Sequence, residues 1–449
     1  MNKDLTVGSP AKVIVGFTVP MFISVVFQQL YNIADSIIAG KYANGLAAVG
    51  ASYPITMLFM SVAFGCQIGC SVVIGRNYGA KNYKAAKTCI TTSLISGLVL
   101  SAALTAFGVI FSPQLMRLVN TPAEIFGDGN TYLRIYTGGF IFLFLYNIAT
   151  GIFNSLGDSR TPLYLLIGSS VGNVALDALF TIVFKWGVPG VAWATFIAQG
   201  TACICALVIL LRRLKKVYDG NDAVMFDERA LKEIGVISLP SVLQQSFVSV
   251  GNLFIQFLVN GYGPTVIEGY SAAVKLNTFA ITVFSTVGNG ISSFTAQNNG
   301  AGKPDRIRKG LMAGIVFALV IAGMFFGLYF FLPMTFVDLF MNEGSSAEAV
   351  DTGIEFLKTV APFYFVICLK LACDGVFRGA EKMGLFMLST FIDLALRVIS
   401  AFVLSDIMGA AGIWNAWPAS WVVGSFIAVF CCFNYLRKRI DGAAKTADI

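Results

Sequence analysis

The chain has 449 residues, 56% of them hydrophobic and only 12% charged, about half the charged share of an ordinary soluble domain. With 39 Phe and so little charge, it is neither a soluble globular domain nor a disordered chain, and it belongs in a bilayer. Its net charge of +7 is expected to set topology and contact with anionic lipid head groups; it is not a nucleic-acid footprint.

Apolar stretches of about 20 residues or more, enough to cross ~30 Å of hydrocarbon, fall near residues 13–38, 46–74, 88–112, 131–155, 162–184 and 187–211. Six more follow near 232–260, 269–296, 308–332, 354–377, 384–404 and 409–436. A polytopic bilayer protein satisfies its backbone hydrogen bonds within each segment, so all twelve read as helices. The first stretch is too long for a signal-peptide core and has no small-residue cleavage site after it, so it is expected to stay as the first span. The one long polar interruption, Lys215 to Glu233 with Asp219-Gly220-Asn221-Asp222 at its centre, divides the chain into an N-terminal lobe (1–214), a linker (215–230) and a C-terminal lobe (231–449).

The two lobes are copies. Asn32 lies twelve residues after Pro20 as Asn252 lies twelve after Pro240, and Asn77-x-Gly79-Ala80 recurs as Asn298-x-Gly300-Ala301. Shifts of 220 to 224 residues carry Gly69 onto Gly290, Gly151-x-Phe153 onto Gly375-x-Phe377, and Gly190 onto Gly412. The copies run in the same order with corresponding loops, so the expected fold is an all-α polytopic membrane protein with twelve transmembrane helices in two parallel-repeat six-helix bundles.

Basic residues fix the orientation. Arg76, Lys81, Lys84 and Lys87, then Arg212, Arg213, Lys215 and Lys216, then Lys303, Arg306, Arg308 and Lys309, then Arg437, Lys438 and Arg439 all fall on one side, while the other holds only Lys41, Arg117, Arg134, Lys185 and Lys358. The bias predicts both termini in the cytoplasm, in the cell (inner) membrane. The nine cysteines sit in or beside predicted helices, where packing is their expected role; no disulfide framework or metal cluster is indicated.

Polar groups inside spans are costly and tend to face a cavity or a partner. In the first copy these are Asp35 and Asp177, with Gln28, Tyr31, Asn32, Asn147, Asn154, Asn173, Thr195 and Gln199. Gln28, Tyr31, Asn32 and Asp35 share one helical face, and Asn173 and Asp177 are an i, i+4 pair. Carboxylates and neutral oxygens on separate helices suit a hard cation; a structural carboxylate near the outer membrane face is the competing role for Asp35.

The Pro20 to Asp35 helix, the Asn173-x-x-x-Asp177 pair, the Gly79-Ala80 and Gln297-Asn298-x-Gly300-Ala301 loop motifs and the twelve-span duplication together resemble the multidrug and toxic compound extrusion (MATE) family, on its DinF-like branch. The resemblance covers essentially the whole chain, and the order and spacing of the motifs carry it. It implies two bundles flanking a central cavity and export of organic compounds driven by inward movement of Na+ or H+, with no enzymatic activity and no resident cofactor. The family's cation site carries over to Asp35, Asn173, Asp177 and Thr195, which would also be the ligands of any Na+. Cavity candidates are Gln28, Tyr31, Asn32, Asn147, Asn154, Gln199, Lys275 and Lys370. The expected partners are a small organic substrate and membrane lipids, with no nucleic acid, for a monomer.

The second copy departs from the first where this matters. Ile255 stands opposite Asp35, Arg397 opposite Asn173 and Ala401 opposite Asp177. NorM-like relatives carry acidic residues at second-lobe positions that are Val248 and Ile367 here. The second copy has its own charges, Lys275, Lys370, Asp374, Asp393 and Arg397, of which Lys370/Asp374 and Asp393/Arg397 are i, i+4 pairs of opposite sign that either neutralise one another or line a cavity. A lipid-linked-oligosaccharide flippase of the same superfamily is the alternative transporter; a non-transport membrane protein is the different-class alternative, disfavoured by the lack of His.

Overall fold

A computed structural model of the protein describes residues 4–40, 45–218, 220, 223–341 and 345–447, with side chains described except at 31–40, 45–49, 216 and 443–447. Ten helices among the described residues are long and apolar enough to cross a membrane. An eleventh span is the pair α4 (Ala123–Gly138) and α5 (Phe140–Ser155), bent by 44° at Gly139. The remaining long helix, α9 (Pro264–Gly300), has 37 residues. At 1.5 Å per residue it is ample to cross, but its Ser, Thr, Asn and Gly residues dilute its apolar character and turn inward: Gln297 and Asn298 are fully buried. These make the twelve spans that the hydropathy pattern predicts.

The others are α1 (Pro10–Gly40), α2 (Gly45–Gly79), α3 (Tyr83–Leu118), α6 (Arg160–Ala178), α7 (Val188–Val217), α8 (Glu228–Asn260), α10 (Pro304–Phe331), α12 with α13 (Ala347–Val360 and Tyr364–Gly379), α14 (Met383–Met408) and α15 (Ala410–Ala447). A short α11 (Pro333–Asp338) follows α10. At the corresponding place in the second copy a 3-10 turn at Ala361–Phe363 joins α12 to α13, and the two continue as one span.

Backbone geometry repeats as the motifs do. Among the described residues with positive φ, six of ten pair at the repeat shifts: Lys81 (58°) with Gly302 (66°), Gly157 (76°) with Glu381 (60°), and Gly187 with Gly409 (both 64°). At Gly187 and Gly409 ψ is −139° and −145°, a region only glycine enters without strain. Close helix crossings repeat too. A Cβ on Gly151 would collide with the carbonyl of Gln67, and one on Gly375 with the carbonyl of Gly288, so each copy seats its fifth-helix glycine directly on the backbone of its long helix, α2 or α9.

The described residues form two compact units, one of Asp4 with residues 19–246, the other of Leu5–Thr18 with residues 247–447. Each therefore borrows the start of a helix from the other copy. In the second unit, Thr18 of α1 lies against Gly290 of α9; in the first, Ser238 of α8 lies against Gly69 of α2. Both are contacts a side chain at the glycine would block. The borrowed starts are tied down by polar contacts. Leu5 N donates to Gln297 Oε1 (2.9 Å), Asn298 Nδ2 and Arg306 Nη2 donate to the Leu5 carbonyl, and Arg306 Nη1 donates to the Gly8 carbonyl (2.7 Å). In the first unit, Arg76 pairs with Glu233 at 2.5 Å and Asp227 N donates to Thr92 Oγ1 at 3.0 Å.

The turn before α6 is held by Asp158, whose side chain is 2% exposed. It accepts from Arg160 N and Thr161 N (3.1 Å each), from Thr161 Oγ1 (2.6 Å) and from Arg213 of α7, which also lies over the Phe153 ring. Burial pushes the carboxyl up, but the hydrogen bonds from Thr161 and Arg213 outweigh it and hold Asp158 below the usual carboxylate range. Its stabilisation is therefore present above the ordinary Asp value of about 3.9 and lost as pH falls through the folded-state value. Asp158→Asn is expected to lower the apparent melting temperature of the purified protein at neutral pH, with the deficit shrinking below about pH 4; a deficit constant down to pH 3 would reject the pairing as its source. The repeat equivalents of these two residues are Lys382 and Tyr435, and they meet as a cation over a ring, 5.7 Å from the centroid: the joint is kept and its chemistry exchanged.

Candidate functional site

The first unit concentrates the neutral polar groups. On α6, Asn173 is 2% exposed and Asp177 fully buried, placed on one face by their four-residue spacing. The helix widens just after them into a π-helical stretch, Leu179–Val183, whose Thr181 hydroxyl donates back to the Asp177 carbonyl. π-Turns are costly and are frequent at functional sites. On α5, Asn147 and Asn154 are both buried, seven residues apart; Asn147 Nδ2 donates to the Leu143 carbonyl at 2.8 Å. On α7, Thr195 donates to the Val191 carbonyl at 3.1 Å, and Thr195 and Gln199, one turn apart, line a small pocket with Tyr136, Gly139, Leu143 and Phe196. Thus α7, which packs on α6 and α5, brings Thr195 and Gln199 together with Tyr136.

Of the α1 candidates, Gln28 is half-buried. Tyr31, Asn32 and Asp35 are on the same helix, but their side chains lie outside the described residues.

The second unit is built differently. Lys370 on α13 is 3% exposed; its Nζ lies 2.9 Å from Asp374 Oδ2 and 3.9 Å from Asp393 Oδ2. Asp374 Oδ1 accepts from Ser389 at 2.7 Å, and Arg397 Nη2 lies 3.2 Å from Asp393 Oδ2, its guanidinium over the Trp417 ring. The two i, i+4 pairs thus form one buried network across α13, α14 and α15. Lys275 stands apart: it is exposed and lies over the Phe340 ring at 6.0 Å. Where the first copy places Asn173 and Asp177, the second has Arg397 in this network and a fully buried Ala401.

Arg378, in the last turn of α13, is inconspicuous in the sequence because it lies at a helix end beside a charged loop, Glu381-Lys382. Its position opposite Asn154 under the 224-residue shift is the signal that identifies it.

The family model described as MatE matches twice, over residues 20–179 and 240–403, the two copies in register. Curated relatives include the probable multidrug resistance protein YpnP of Bacillus subtilis (strain 168), 29% identical over 97% of both chains, and the FAD transporter of Shewanella oneidensis, 24% identical over 97% of both. An outward-facing multidrug resistance MATE family transporter of the MOP superfamily superposes with a TM-score of 0.92 at 22% identity, over 98% of this chain and 99% of the other. With the family model covering both repeats, the chain belongs to the MatE family and is a membrane transporter, not an enzyme.

Proposed function

We propose that this chain is a cation-coupled antiporter that exports organic compounds from the cytoplasm by alternating access, with both termini cytoplasmic in the cell membrane and the monomer as working unit. The observation that carries the reading is the Asn173/Asp177 pair, a fully buried carboxylate one turn from a buried amide, set before a π-helical stretch in the copy whose counterpart has Arg397 and Ala401. Oxygen donors of this kind suit Na+ or a proton equally, and a chain with no histidine must carry a coupling proton on a carboxylate. Asp35 and Thr195 complete the proposed cation set. Gln28, Tyr31, Asn32, Asn147, Asn154 and Gln199 are proposed cavity groups beside it. Entry of a cation from outside neutralises the carboxylates, repacks the helices that carry them and releases the organic substrate; a charge change acting on a bistable element is what such coupling needs.

Proteoliposomes loaded with ethidium and given a Na+ gradient or a pH gradient separately test this. Efflux with one gradient and not without it is the expected result; ethidium movement indifferent to both would remove the antiport reading. The relatives named for multidrug resistance support the substrate class.

A further inference from the structure

Arg378 is 8% exposed, yet among the described residues its guanidinium makes no hydrogen bond and no ion pair, and its Nε is fully enclosed without a partner. Asp374, one turn back on α13, is taken by Lys370 and Ser389. What Arg378 touches is largely apolar: its guanidinium lies over the Phe386 ring at 5.5 Å, and an Nη sits beside Gly288 of α9, 3.5 Å from where a Cβ would stand. Arg213 shows how this fold uses an arginine to join helices, donating to both Asp158 and Thr161. Arg378 has the same donors in a more buried place and spends none of them.

The charge balance points the same way. The buried groups around α13 and α14 are Lys370, Arg378 and Arg397 against Asp374 and Asp393, an excess of one positive charge. A guanidinium cannot shed its proton to relieve this, and the next carboxylate along the chain, Glu381, is only half-buried. In the first copy the same position is Asn154, also buried, with its Oδ1 unbonded. Both copies thus hold an unspent polar side chain at one equivalent place, neutral in one unit and cationic in the other.

We propose that Arg378 binds an oxyanion, phosphate or carboxylate, carried by the transported compound, so that organic anions are substrates of this chain. The planar fork of N–H donors suits a two-oxygen group. The proposal rests on the export reading above for the compound's being transported, but the binding site is testable without it.

The test is binding to the purified full-length protein in nanodiscs of phosphatidylcholine alone, titrated with FAD, riboflavin and ethidium. FAD and riboflavin share the flavin; FAD adds an anionic diphosphate and an adenosine, and the Arg378 variants separate the charge from the added bulk. FAD is expected to bind about tenfold tighter or better, as one charge-assisted contact gives; Arg378→Gln removes most of the difference, Arg378→Lys keeps part of it, and neither weakens binding of the cation ethidium. Equal binding of FAD and riboflavin by the wild type, or FAD binding untouched in Arg378→Gln, overturns the proposal. If Arg378→Gln is not monodisperse, Arg378→Lys decides, because loss of the fork must weaken FAD severalfold without weakening ethidium. Repeating the wild-type titration with about a third phosphatidylglycerol separates the sources: if the FAD preference vanishes, the anion is a lipid head group and the substrate assignment falls. Failure of gradient-driven ethidium efflux with the FAD contrast intact would strike the antiport reading and not this site.

Discussion

Asp177→Asn is expected to abolish gradient-driven efflux while the protein folds and still binds ethidium. The substitution keeps shape and hydrogen-bonding capacity and removes only the ability to carry a charge or a proton. Asp177 is fully buried, so a cation that neutralises it changes the local electrostatics far more than it would at the surface. Without that change the driving ion has nothing to act on. The expected result in proteoliposomes is a loss of at least about 100-fold in the ion-dependent rate, with equilibrium binding within about threefold of wild type, a coupling loss of the ~3 kcal/mol that allosteric linkage commonly reaches. Asn173→Ala should give a smaller loss, since it removes a neutral ligand. Ion-dependent efflux at the wild-type rate in Asp177→Asn would exclude Asp177 from coupling.

Asp374→Leu should be the most destabilising change in the second unit. Lys370 would lose its 2.9 Å partner and keep only Asp393 at 3.9 Å, which Arg397 already engages; Ser389 would lose its acceptor. Removing one member of a buried ion pair costs about 3–5 kcal/mol, because a charge is left uncompensated. Replacing both partners by apolar groups of similar volume is often close to neutral. The double variant Lys370→Met/Asp374→Leu is therefore expected to recover most of the melting temperature lost in Asp374→Leu alone. Thermal unfolding in detergent measures both. Equal losses in the single and double variants would mean that the network is held by something other than the pairing.

Much of the architecture was legible because it is written locally. A span announces itself by length and hydropathy, and the duplication by Pro20 and Pro240 inside their helices and by Gly69 and Gly290, Gly151 and Gly375, each at a close crossing. The opposite-sign spacing of Lys370, Asp374, Asp393 and Arg397 was also readable, but their union into one network depends on α13 meeting α14, which no single segment encodes. The bend at Gly139 was hidden for a similar reason: the apolar run continues through it. The π-helical stretch after Asp177 has no composition of its own, since Leu179–Val183 reads as ordinary apolar helix. Arg378 was missed because a basic residue near a loop looks like a topology signal until its burial and unused donors are seen.

The borrowed helix starts carry a further consequence. Neither copy encodes a whole unit: the first lacks the stretch around Ser238 that covers Gly69, and the second lacks Leu5–Thr18 that covers Gly290. A single copy on its own would leave that glycine face bare, and two separate copies would satisfy each other by trading segments, the geometry of a swapped dimer. Joining them through Lys215 to Glu233 turns a concentration-dependent encounter into one within a single chain. Two polypeptides cut at that linker should therefore accumulate only when expressed together.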